Sequence, residues 1–299
     1  MHAERPSWTA AWVATARGLG VLLPERVRLA EDRYGTAFAS PRLQRTIDRV
    51  RLRGPSSVAT MPGVGEWVLY MQVRTRVLDD AVRAFAARGG EQVVILGAGY
   101  DCRALRLADL AAPHATVYEI DHPATQRHKQ DVLARIGASS PARFIAWDFE
   151  RRRTDDLPAA LAAAGHDPGR PTITLWEGVT MYLTEPAVDA SVRAMASYSA
   201  PGSDLAMTYF HRRGIARPSL ATRAVAALVA RVGEPWRFGW DPSELPAWMA
   251  ARAFRVERDV ALADAAAALL PPELAHRLAD PMRRFAVVAR ESIAFAGHD

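Results

Sequence analysis

From residue 92 onward the chain alternates short apolar runs with segments of helical periodicity, and this alternation restricts its architecture more than any other feature. The predicted strands are Gln92–Leu96, Thr116–Ile120, Phe144–Trp147, Thr172–Trp176 and Asp204–Tyr209. Helices are predicted between them at Cys102–Ala111, Pro123–Ile136, Leu157–Ala164 and Glu185–Ser199. A continuous apolar run suits a strand buried on both faces. Strands separated by helices join through right-handed crossovers, so the reading is an α/β fold around a mostly parallel sheet with helices on both faces. A helix at Pro242–Ala253 and strands at Arg255–Val260 and Phe285–Ala289 complete a seven-stranded sheet.

Ahead of the first strand, a long helix at Glu66–Arg88 carries Val73, Val77, Ala81 and Phe85 as one apolar stripe and stops at Gly89-Gly90. Residues 54–65 (GPSSVATMPGVG) read as a linker. Residues 1–65 are therefore assigned to an N-terminal helical cap, and residues 66–299 to the main domain. An irregular insertion after the fifth strand, about residues 211–240, reads as a lid.

Composition narrows the function classes. With 299 residues, 49% apolar and 24% charged, the chain has globular proportions and can bury a core without staples. Cys102 is the only cysteine, which excludes an internal disulfide framework and a multi-cysteine metal site; no metal is expected. No run approaches the roughly 20 apolar residues that span a bilayer. Glu4 and Arg17 spoil the pattern of a secretory leader, so a cytoplasmic protein without a membrane partner is expected. The formal charge of +5 comes without a basic stripe, because Arg151-Arg152-Arg153 is followed at once by Asp155-Asp156. A nucleic-acid partner is not expected.

In such sheets ligands bind beyond the carboxyl ends of the strands. The first strand runs into Gly97-Ala98-Gly99-Tyr100-Asp101, where glycine lets the backbone turn tightly and approach a ligand. A dinucleotide fingerprint would place a third glycine where Cys102 stands, which counts against a nicotinamide site. The second strand ends at Glu119-Ile120-Asp121, with a carboxylate suited to ribose hydroxyls. The third ends at Asp148-Phe149, an acceptor for an exocyclic amine beside a ring that can flank a base, and the fourth at Trp176-Glu177-Gly178. One such acid alone would read as a helix N-cap. Four strand ends in register read as a mononucleoside pocket, and no GxxxxGK[ST] phosphate loop accompanies it. S-adenosylmethionine fits, since carboxylates favour its sulfonium.

The segments VVILGAGYDCRALRL (93–107), VYEIDHPATQRHKQDVL (117–133), FIAWDFE (144–150) and LWEGVTMYL (175–183) resemble the leucine carboxyl methyltransferase family. They are most similar to its bacterial branch of S-adenosylmethionine-dependent O-methyltransferases, which includes polyketide-tailoring enzymes of the tetracenomycin type. Arg74-Thr75-Arg76, Asp79-Asp80 and EPWRFGWDPSEL (234–245) extend the resemblance, which covers roughly residues 65–290. It implies a class I methyltransferase Rossmann-like fold and S-adenosylmethionine as cofactor. By that resemblance Gly97, Ala98 and Gly99 hold the methionyl part, Asp121 the ribose, with His122 capping or shielding its edge, and Asp148 and Phe149 the adenine. Glu177 would sit near the cofactor's amino group and Tyr182 near the reaction centre. Arg74 would steer a carboxylate, either the cofactor's or the acceptor's. Two departures stand out: Arg33 replaces a proline frequent in bacterial relatives, and the N-terminal region lacks the lysine of eukaryotic members. A phosphatase tail as acceptor is therefore not implied.

The expected activity is methyl transfer to a carboxylate, preferred over a hydroxyl, of a small molecule in natural-product metabolism. A carboxylate needs an orienting cation and no base. A hydroxyl wants a base, for which His211 in MTYFHRR is the candidate. Trp236, Phe238 and Trp240 point to an apolar or aromatic acceptor or, equally, to a lid core serving itself. Cys102 reads as a packed thiol, and Arg103 as a solvated residue or one that fixes the pocket. The rival functions are an NAD(P)-dependent oxidoreductase and a catalytically silent cofactor-binding partner protein.

Overall fold

The computed structural model describes residues 6–54, 57–61, 63–110, 112–218, 220–231 and 235–291. Outside these fall the first five residues of the expected cap, residues 55, 56 and 62 of the expected linker, and Ala111 at the end of an expected helix. Residues 219 and 232–234 of the expected lid, with Glu234 of the EPWRFGWDPSEL segment, and residues 292–299 also lie outside.

Seven strands form one sheet in the order β3-β2-β1-β4-β5-β7-β6. They are β1 (Gln92–Leu96), β2 (Thr116–Asp121), β3 (Arg143–Ala146), β4 (Thr172–Trp176), β5 (Asp204–Phe210), β6 (Phe254–Ala261) and β7 (Arg283–Arg290). Strands β1 to β5 pair in parallel. Strand β7 is wedged between β5 and β6 and runs antiparallel to both. All seven expected strands are present, and the expected class I topology holds, with this one strand reversed. Before the sheet come α1 (Trp8–Leu19), α2 (Pro41–Arg53), α3 (Ser57–Thr60) and α4 (Val64–Ala87). The crossovers carry α5 (Pro123–Arg135), α6 (Leu157–Ala163) and α7 (Glu185–Tyr198), followed by α8 (Arg212–Ala216), α9 (Leu220–Arg231), α10 (Leu245–Ala250), α11 (Leu262–Leu269) and α12 (Pro272–Ala275).

The apolar runs are continuous because the sheet is covered on both sides. Along β1, Val93 and Ile95 enter one hydrophobic cluster with α4, while Val94 and Leu96 enter the other with α7 and α10. The same period of two divides β4 and β5: Leu175 and Ala206 face one cluster, Trp176, Leu205 and Met207 the other. Each fully buried aliphatic side chain contributes about 1.5–3 kcal/mol.

Helix α4 is more enclosed than its single stripe predicts, since every residue from Val68 to Thr75 is buried. Helix α1 covers its other side, where Trp12 stacks on Trp67 at 4.6 Å between ring centres. A 3₁₀ turn at Gly35–Phe38 packs backbone to backbone on α1: a Cβ on Gly35 would lie 2.2 Å from the Ala14 carbonyl oxygen. The start of α1 is tied to α5 by a hydrogen bond from Ser7 N to Thr125 Oγ1, 3.3 Å. The N-terminal helix is thereby held over the carboxyl rim of the sheet.

The expected helix at Cys102–Ala111 is replaced by a single 3₁₀ turn, Arg103–Arg106. Here buried ion pairs override helical propensity. Asp101 accepts from Arg103 N at 2.7 Å, and the side chains of Arg103 and Arg106 both turn inward to Asp79 on α4. The helix expected at Pro242–Ala253 is likewise shorter, because Asp241 closes a turn by accepting from Ser243 N at 3.0 Å.

Candidate active site

A cavity of about 350 Å³ opens at the carboxyl rim of the sheet. Its wall includes Arg74, Gly97, Ala98, Gly99, Asp121, His122, Asp148, Phe149, Glu177 and Tyr182. The expected cofactor-binding residues and Tyr182 thus converge on one cavity, and His211 does not join them.

The glycine turn after β1 is anchored to the end of β2. Gly97 N and Ala98 N both donate to Ile120 O, at 2.9 and 3.1 Å. Gly97 and Gly99 have φ of 72° and 50°, a left-handed backbone that favours glycine. Gly99 N donates to Asp121 Oδ2 and His122 N to Asp121 Oδ1, both at 2.6 Å. Burial pushes the Asp121 carboxyl above its usual range, against the pull of these two amides. His122 caps α5, its Nδ1 accepting from Ala124 N at 3.2 Å. Its Nε2 lies 3.7 Å from Asp148 Oδ2. Phe149 keeps 37% of its surface exposed at the cavity wall, an unusual exposure for a phenyl ring.

Glu177, beyond β4, is clamped from two sides. Arg74 Nε on α4 donates to Oε1 at 2.7 Å, and Arg103 Nη1 donates to Oε2 at 2.8 Å. Arg103 also pairs with Asp101 and, at 2.7 Å, with Asp79. Burial opposes ionisation of Glu177, but the guanidiniums of Arg74, Arg103 and Arg17 outweigh it and hold the carboxyl far below the usual range. Glu177 is therefore a carboxylate at any physiological pH. Arg103, read as solvated or pocket-fixing, is fully buried and does the latter. The Nη groups of Arg74 have no protein acceptor among the described residues.

Two sequence readings change and a third stands. His211 does not line the cavity. It caps α8, its Nδ1 accepting from Arg213 N at 3.2 Å, and bridges to Trp240. Of the lid aromatics, Trp236 lines the cavity, whereas Phe238 and Trp240 are buried against one another at 4.7 Å within the core. Cys102 is indeed a packed thiol: burial drives its pKa well up, and its Sγ contacts Tyr100 O at 3.6 Å.

Sequence reasoning missed Trp12 and Arg17 on α1, Trp67 and Tyr70 on α4, and Arg283 on β7, all of which line the cavity. Arg17 brings a cation of the N-terminal helix to the cavity wall. It donates to Asp32 Oδ2 at 3.0 Å and to Tyr100 O at 2.5 Å. One signal did mark it: a lone arginine in the otherwise apolar helix WTAAWVATARGL. Among the described residues, no cluster of His, Cys, Asp and Glu is arranged to hold a metal, and no helix is long and apolar enough to cross a membrane.

The sheet order, with the cavity at its carboxyl rim, is that of the class I methyltransferase fold. The sequence profile of the leucine carboxyl methyltransferase family matches residues 10–196, and the chain belongs to that family. A relative from Rhodococcus jostii (strain RHA1), provisionally named an S-adenosyl-L-methionine-dependent methyltransferase, is 33% identical over 299 residues, covering 95% of this chain and 97% of its own. One from Mycobacterium ulcerans (strain Agy99), named in the same way, is 43% identical over 145 residues, which is 48% of this chain and 43% of that one. A crystal structure of a provisionally assigned methyltransferase from Thermobifida fusca YX shares the fold, with a TM-score of 0.59 at 20% identity over 97% of each chain. S-adenosylmethionine is accordingly the cofactor, and the nicotinamide alternative is set aside.

Proposed function

We propose that the chain is an O-methyltransferase that esterifies a carboxylate of a small-molecule acceptor in natural-product metabolism. One observation carries this reading: the cavity offers cations for an anionic acceptor, while Glu177, Asp101, Asp121 and His122 on its wall are already engaged. Among the described residues lining it, Glu177 is held by two arginines, Asp101 by Arg103, and Asp121 by two backbone amides. His122 spends Nδ1 on its helix cap, and His211 lies elsewhere. A carboxylate is already nucleophilic at neutral pH and needs only orientation.

The residues present fit the donor. The ionised Glu177 suits an ammonium, and the open Nη face of Arg74 suits a carboxylate, so Arg74 is assigned to the donor's amino-acid end. Asp121 suits ribose hydroxyls through its remaining lone pairs, while Asp148 and the exposed Phe149 ring suit adenine. When bound, the donor supplies a methyl group activated on a positively charged sulfur. The protein's share is positioning: Glu177 and Arg74 fix one end, the glycine turn brings the backbone close, and α1 with Trp236 screens the cavity from water. Tyr182 is on the same wall, and we assign it to the acceptor side. Alignment of this kind supplies about 7–11 kcal/mol of barrier reduction in favourable cases.

The test is transfer from S-adenosylmethionine carrying a labelled methyl group to a panel of carboxylic acids and phenols. A methyl ester releases its label as methanol in alkali, whereas an aryl ether does not. Alkali-labile product on acids supports the reading, and label on phenols alone overturns it.

A further inference from the structure

Resting on the carboxyl-acceptor reading, we propose that Arg283 holds the acceptor's carboxylate and that the acceptor is a planar aromatic acid laid along the Trp67–Tyr70 wall. Arg283 opens β7 and pairs with Phe210, the last residue of β5. Because β7 runs against its neighbours, its first residue falls on the rim where the parallel strands end, the edge at which such sheets bind ligands.

The cavity's arginines differ in what already neutralises them. Arg17 is bound to Asp32 at 3.0 Å and Arg74 to Glu177 at 2.7 Å, each with its side chain almost fully buried. Arg283 approaches Asp280 only at 3.9 Å, and 23% of its side chain remains exposed. Its guanidinium is thus the partly desolvated cation whose charge is least answered by protein. Arg237, the remaining arginine of the wall, is exposed to solvent. A guanidinium in that state favours a planar, bidentate anion.

An aromatic surface runs up to this cation. Its central carbon lies 4.5 Å from the centre of the Tyr70 ring, and that of Arg74 lies 5.8 Å from the same centre. One ring therefore joins the acceptor cation to the donor-side arginine. Tyr70 stacks on Trp67 at 5.4 Å, and Trp67 on Trp12 at 4.6 Å. A second cavity of about 230 Å³ shares Trp12, Trp67, Tyr70 and Arg283 with the first, so Arg283 stands at the junction of the two. The faces within this row are taken by one another and by Arg283, so it offers ring edges to the cavity, and an edge row ending at an under-neutralised guanidinium is complementary, edge to face, to a flat aromatic ring bearing a carboxylate.

Calorimetric titration of 2-naphthoate, 2-naphthamide and octanoate into protein saturated with S-adenosylhomocysteine tests this directly. Wild type should bind 2-naphthoate more tightly than either analogue. R283Q should weaken 2-naphthoate by about 10–100-fold, the loss of a charge-assisted pair. Its affinities for 2-naphthamide and S-adenosylhomocysteine should remain unchanged, which also shows that the variant folds, and R283K should recover part of the loss. Equal 2-naphthoate affinity in wild type and R283Q, no binding of 2-naphthoate to wild type, or octanoate binding as tightly, would overturn the proposal. So would a parallel loss of S-adenosylhomocysteine affinity, which would move Arg283 to the donor side. Binding through Arg283 without methyl transfer to the carboxylate would count against the carboxyl reading alone, leaving the anchor in place.

Discussion

Arg74 Nε and Glu177 Oε1 lie 2.7 Å apart, buried, and join the middle of α4 to the end of β4 across 103 positions of sequence. The bond fixes the long N-terminal helix to the sheet at the point where the donor's amino-acid end is assigned. Arg103 grips the other oxygen of the same carboxylate, so one acid holds two basic side chains from separate elements.

Replacing Glu177 with glutamine leaves two buried guanidiniums without their shared counter-charge. Removing one partner of a buried pair costs about 3–5 kcal/mol. The E177Q variant should lose that much in urea unfolding and bind S-adenosylhomocysteine at least tenfold more weakly by calorimetry. Unchanged values of both would show that the clamp is dispensable.

The carboxylate of Asp121 has a double task, accepting from Gly99 N and His122 N while facing the cavity. Asp121→Ala orphans two amides, at a cost of about 1–3 kcal/mol in stability. It should also weaken cofactor affinity, whereas Asp121→Asn should fall between. An alanine variant with full affinity would remove Asp121 from the ribose position.

A general base contributes about 10²–10⁴-fold to a reaction. His211→Ala should lower kcat by no more than about twofold and leave its pH profile unaltered, since a helix cap is worth only about 0.5–2 kcal/mol of stability. A large fall in kcat that follows loss of an imidazole titration would restore His211 as the base and favour a hydroxyl acceptor.

Glu119 on β2 is buried beside Lys129, and its Oε1 has no partner among the described residues. Burial pushes its pKa up from 4.5 to about 7, despite the attraction of Lys129. A folded-state pKa above the unfolded one makes the acid favour folding below pH 4.5 and lose that contribution as pH rises through about 7. Between those values wild type should therefore lose stability relative to Glu119→Gln, as measured by urea unfolding at successive pH values. A constant difference between the two proteins across the range would contradict the shift.

Much of this was legible in the sequence, for definite reasons. QVVIL and TITLW are short, largely apolar runs bounded by turn residues, as strands buried on both faces require, and the acids that follow them sit on one rim because parallel strands end together. The turn at Arg103–Arg106 was not legible, because its backbone is set by Asp79, which sits on another element and forms no local pattern. Trp12 was missed because α1 reaches the rim only through its tertiary packing on Trp67. Arg283 was missed because its place depends on a reversed strand, and a short apolar run carries no sign of its direction.

Everything proposed for the site requires the rim between the glycine turn and Glu177 to grip an adenosyl sulfonium donor. A crystal structure with S-adenosylhomocysteine tests it most directly. The ligand is expected in the main cavity, with its ammonium on Glu177, its carboxylate on Arg74 and its ribose on Asp121. A ligand bound elsewhere, or one in that cavity touching none of the three, would contradict it.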